Sequence, residues 1–115
     1  NKCDTRWFSL CNIEGEGLLF VGTEPLSVSA WNFMQDDINY VPFEIERRHG
    51  GSIKKRDLVW VNIDLLQMGV GGDNSWGAQV HPEYTITPLP RKYSFVIQPV
   101  DTSESISKQA RQIWF

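Results

Sequence analysis

The 115-residue sequence contains no apolar run near the ~20 residues needed to span a membrane. No leader of charged then apolar residues opens it. It starts at Asn1 within a polar stretch, which suggests a piece of a longer polypeptide and leaves the parent's address open. Basic charge is not in surplus: 11 Lys and Arg stand against 14 Asp and Glu, for a formal net charge of −3. The clusters Arg47-Arg48 and Lys54-Lys55-Arg56 have acidic residues about them, so the concentrated basic face that nucleic-acid binding requires is missing. Only two cysteines occur, Cys3 and Cys11. In one extended segment they would lie about 26 Å apart, far beyond the ~7 Å a disulfide tolerates. Both are therefore expected to be free thiols, Cys11 in the core, which fits a reducing compartment. The only histidines, His49 and His81, form no zinc-ligand spacing.

What is present suits one ordinary domain, with 41% hydrophobic and 22% charged residues. Five tryptophans are many for this length. Trp serves cores and flat ligand platforms equally well, so position must decide between them.

Strand signals dominate the chain. Arg6 to Ile13 is extended in character, Glu14-Gly15-Glu16-Gly17 supplies a turn, and Leu18 to Val21 returns, which predicts a hairpin. Leu26, Val28 and Ala30 alternate with Ser27, Ser29 and Trp31. Met34 to Tyr40 has room for a helical turn, stopped before Pro42, and Glu46 to Arg56 reads as a loop. Leu58 to Met68 is the clearest strand signal, with Val59, Val61, Ile63 and Leu65 on one face and Trp60, Asn62 and Asp64 on the other. Apolar residues on both faces predict a central position. Tyr84 and Ile86 alternate with threonines, Tyr93, Phe95 and Ile97 suggest a last strand, and Ser103-Glu104 can start a helix containing Ile106, Ala110 and Ile113. About seven short strands predict an all-β antiparallel sandwich or barrel with a short helical tail.

The segment Gly69-Val70-Gly71-Gly72-Asp73-Asn74-Ser75-Trp76 stands out. Three glycines in four residues permit unusual backbone angles or close approach, and the adjoining Asp73 and Asn74 favour a turn that bonds its own backbone. Trp76 ends that turn. It either presents its ring to a ligand or folds back to plug the end of the sandwich; spacing does not decide. A hexose covering ~60–100 Å² of the ring would gain about 1.5–2.5 kcal/mol.

Other chemistries fit poorly. A phosphate cradle needs a third glycine opening a helix, or a Lys, where this sequence has Asn74. An EF-hand alternates its ligands, whereas Asp73 and Asn74 are adjacent. Ser75 with His81 is no nucleophile elbow. Asp64, Asp73, Glu83, Glu44 and Glu46 offer no evident acid and nucleophile pair for glycoside hydrolysis. Asp64 is expected to bond loop amides and fix the turn. Catalytic and metal-binding residues are thus expected to be absent.

The run Val61-Asn62-Ile63-Asp64, then Gln67 through Gly77 and His81-Pro82-Glu83-Tyr84, resembles the C-terminal domain, or small chain, of the large bacterial β-galactosidases of glycoside hydrolase family two. Asp4-Thr5-Arg6-Trp7 and Ser29-Ala30-Trp31-Asn32-Phe33 resemble it as well. The likeness runs from about residue 1 to 100; the tail 101–115 lies beyond it. Asn74 stands where many relatives have a second Asp, and both suit a turn.

The resemblance implies part of a galactose-mutarotase-like antiparallel supersandwich. It implies that the catalytic glutamates and a magnesium site lie in a separate barrel domain, so that this piece alone is inactive and holds no cofactor. It further implies that Trp76 binds the leaving-group sugar of a galactoside such as lactose in the barrel's pocket. Asp64, Gly69, Gly71, Gly72, Asp73 and Asn74 would shape that loop. Retained glucose could then accept the galactosyl group. The implied partners are the remaining domains of the same polypeptide, with self-association through any apolar face left uncovered. Cytoplasm and periplasm both remain open. Two other readings stand beside this one: a free-standing lectin-like module, and a structural or oligomerising one.

Overall fold

A computed structural model describes residues 1–39, 53–68, 72–74 and 76–113. The described chain is all-β with one short C-terminal helix: β1 (Lys2–Cys11), β2 (Gly17–Trp31), β3 (Trp60–Asp64), β4 (Phe95–Pro99) and α1 (Ile106–Gln112). The strands form one antiparallel sheet organised around β2. Strand β1 runs beside it as a hairpin partner, with Phe8 opposite Phe20 and Cys11 opposite Gly17. On its other edge β2 changes partners. Leu18 to Gly22 pair with β4, and Ser27 to Trp31 pair with β3. Pro25 sits between the two stretches, where its missing N–H removes no ladder bond on that edge. The two extended runs of the sequence are therefore a single strand of 15 residues.

The core lies on both faces of β2. Leu19 is fully buried, and with Val21 it packs against Ala110 of α1; Val100, Ile106 and Ile113 close the cluster. The opposite face stacks Phe8 on Phe20, ring centroids 4.5 Å apart and planes nearly parallel. Buried Gln109 fixes the helix to the chain entering it. Its amide accepts from the Asp101 amide (2.9 Å) and donates to the carbonyls of Asp101 (2.7 Å) and Glu104 (3.1 Å). The tail thus folds back over the sheet.

Several expectations are corrected. Cys11 is exposed, because it ends β1 at the mouth of the hairpin; Cys3 is exposed too, and both are free thiols. The strand read over Leu58 to Met68 is confined to Trp60–Asp64, and among the described residues it pairs with β2 alone, so the central strand is β2. Its faces are as expected. Val61 and Ile63 lie opposite Ala30 and Val28, while Trp60, Asn62 and Asp64 lie opposite Trp31, Ser29 and Ser27. On that polar face the Trp60 indole donates to Asn62, whose amide donates to Ser29 Oγ. The alternation at Tyr84 and Ile86 is not a strand. Pro82 opens a 3-10 turn, Pro82–Tyr84, because it is preset for a turn and cannot donate to a ladder. Four strands, not seven, occur among the described residues.

The turn expected after Met34 is a 3-10 turn, Gln35–Ile38, closed by the Met34 amide donating to Asp37. Asp37 also holds Arg56 through both carboxylate oxygens. That bond and charge keep the guanidinium protonated still more firmly than usual. Most of the loop read over Glu46 to Arg56, with Arg47, Arg48 and His49, lies outside the described residues.

Candidate functional site

Beyond β3, the described residues from Gly72 to Ala78 are closed into a hydrogen-bonded turn. The Gly72 amide donates to the Ala78 carbonyl at 3.0 Å and closes its base. A Cβ on Gly72 would lie 2.2 Å from the Gln79 carbonyl oxygen and 2.9 Å from that of Ala78. No side chain fits there, so glycine is required by close backbone approach. Gly77 carries the reversal at φ +111°.

Asn74 organises the interior of the turn. Its Oδ1 accepts from the Trp76 amide at 2.8 Å and, at 3.4 Å, from the Ala78 amide. An Asn beside glycines favours this self-bonded arrangement because its short side chain reaches amides two residues on. Asp73, next to it, accepts from His81 Nε2 at 2.8 Å, and both side chains are exposed. Trp76 stands at the tip with 93% of its surface open. It does not fold back as a plug. That exposure leaves the ring face free to stack on an apolar surface.

Of the residues singled out in the sequence, Gly72, Asp73, Asn74 and Trp76 come together in this turn. Gly69, Gly71 and Ser75 lie outside the described residues. Among the described residues Asp64 accepts from the side chain of Gln67, and the Trp76 and Ala78 amides donate to Asn74. His81 has neither zinc-ligand spacing nor a nucleophile elbow in the sequence, and its bond to Asp73 has no signal in sequence spacing. Among the described residues no group of three or more His, Cys, Asp or Glu is placed to hold a metal ion. No helix among them is long and apolar enough to cross a membrane.

The molecule is thus an all-β domain that presents an aromatic ring on a hydrogen-bonded turn. The family model of the β-galactosidase small chain matches residues 1–97. The chain is 39% identical over 87 residues to a β-galactosidase of Priestia megaterium, covering 75% of this chain and 8% of that protein. It is 34% identical over 102 residues to one of Lactobacillus delbrueckii subsp. bulgaricus, covering 87% and 9%. With the Streptococcus thermophilus enzyme it shares 30% over 103 residues, 88% and 10%. The chain belongs to the β-galactosidase small-chain family. It spans a tenth or less of the length of these relatives. No solved structure matches it. Helix α1 lies beyond the matched residues, yet its Ala110 completes the cluster around Leu19.

Proposed function

We propose that this chain is a non-catalytic domain of a larger β-galactosidase, and that its Trp76 turn completes the sugar site of a separate catalytic domain. The observation that carries this reading is the exposure of Trp76 on a turn held by Asn74 and Gly72. A backbone fixed in that way needs little further ordering when a sugar stacks on the ring it carries, so more of the stacking energy appears as affinity. The work assigned to it is positioning. Holding the leaving-group sugar keeps the scissile bond aligned with acid and nucleophile supplied elsewhere, and retention of that sugar favours transfer to it. Any magnesium belongs to the other domain, and no step runs through this one.

The test uses the full-length parent enzyme. Trp76→Ala is expected to lower kcat/KM for lactose about tenfold or more, the loss of one stacked hexose face. A galactoside with a small aromatic leaving group should suffer less. Lactose kinetics unchanged by the substitution would sink the reading. Micromolar lactose binding by the 115-residue chain alone would favour a free-standing lectin instead.

A further inference from the structure

We infer that His81 is a positioning residue: through Asp73 it latches the Trp76 turn to the segment that follows it. The bonds made by Gly72, Asn74, Trp76 and Ala78 stay within the turn. The Asp73 to His81 bond leaves it, spanning eight residues at 2.8 Å, within the range of a charge-assisted hydrogen bond. His81 is itself well anchored. Pro82 follows it and restricts its backbone to the extended region, observed at φ −56° and ψ 143°. Its carbonyl accepts from the Tyr84 amide (2.9 Å) and from Thr85 Oγ1 (3.1 Å). A main chain tied to the 3-10 turn therefore carries a ring that grips the residue adjoining Asn74. An imidazole Nε2–H donates to a carboxylate oxygen, so the pair needs no bridging group.

Both partners are exposed, with side chains 49% and 81% open, so solvent weakens the bond and its effect is graded rather than all-or-none. The consequence for lactose rests on the proposed function; the latch itself does not. Three variants of the full-length parent test both: His81→Ala, His81→Gln, which keeps an N–H donor, and His81→Ala combined with Trp76→Ala. In His81→Ala, hydrogen exchange at the Trp76 and Ala78 amides is expected to quicken about two- to fivefold, and KM for lactose to rise by a similar factor. The galactoside with a small aromatic leaving group should change less. His81→Gln should recover most of both effects, and the double variant should be no worse on lactose than Trp76→Ala alone. Unaltered exchange at Trp76 and Ala78 in His81→Ala overturns the latch. Quickened exchange with unmoved lactose KM, in a parent that Trp76→Ala does damage, overturns the positioning role. Trp76→Ala without effect on lactose overturns the proposed function instead, and the exchange measurement still decides the latch.

Discussion

The end of the sheet beneath α1 and the Trp76 turn are held by different forces. Beneath the helix, Leu19, Val21 and Ala110 are removed from water, and Gln109 satisfies the backbone groups around them. At the turn the large apolar side chain of Trp76 is almost wholly exposed, and the geometry rests on short-range hydrogen bonds of Asn74, Gly72 and Asp73. Burial gives stability that is insensitive to detail at the surface. Local hydrogen bonding gives a defined shape at small energetic gain, since each bond replaces one to water. Stability and sugar handling should therefore be separable by mutation.

The largest effect should come from Leu19→Ala. The side chain is fully buried, so its loss removes transfer energy and leaves a cavity, together about 2–5 kcal/mol. Urea unfolding of the chain reads this as a lower midpoint at constant slope. Trp76→Ala in the same experiment should stay within about 0.5 kcal/mol, as for an exposed residue. Equal losses from the two would break the separation.

Gln109→Leu comes next. The new side chain has similar size but no donor or acceptor, so the Asp101 amide loses its partner and the carbonyls of Asp101 and Glu104 lose a donor. A loss of about 1–3 kcal/mol is expected by the same urea measurement. Lactose kinetics of the parent should be far less affected than by Trp76→Ala. A Gln109→Leu enzyme that unfolds at the original midpoint would show that these bonds are readily replaced by water.

These elements differ in how far the sequence discloses them. The β1–β2 hairpin was legible because Glu14-Gly15-Glu16-Gly17 is local turn chemistry, and Asn12 reinforces it by accepting from the Glu16 amide. The helix was legible from Ile106, Ala110 and Ile113 at helical spacing. The continuity of β2 was not, because Pro25 reads as a strand breaker. It is tolerated only where β2 changes partners, which is a fact of tertiary pairing. The alternation at Tyr84 and Ile86 misled for a similar reason: alternation predicts a strand only if an edge is available to pair with. At the site, Asn74 could be read as a turn residue from its neighbours. The bond between Asp73 and His81 could not, since a separation of eight residues has no meaning until the turn brings the two together.

The smallest expected effect compares two turns of the same kind. Asp101 Oδ1 accepts from the Ser103 amide (2.8 Å) and hydroxyl (2.6 Å), much as Asn74 Oδ1 accepts from the Trp76 amide two residues on. The bond from the Ser103 hydroxyl, and then that from its amide, hold the Asp101 carboxyl below its ordinary value of 3.8. A group whose folded value is depressed adds stability that is fully present above its unfolded value and is lost as pH falls through the folded one. The contribution at the entry to α1 is therefore intact above pH 3.8 and disappears below it. Asn74 is an amide and does not titrate, so its own bonds to the Trp76 turn have no such dependence. Hydrogen exchange corrected for its intrinsic pH dependence should show Ser103 losing protection below that pH in the wild-type chain. In Asp101→Asn, which retains the acceptor and loses the titration, protection of Ser103 should be flat across the same range, as it is for a turn built on Asn. Acid loss of Ser103 protection that persists in Asp101→Asn would mean that another carboxylate controls this end of the helix.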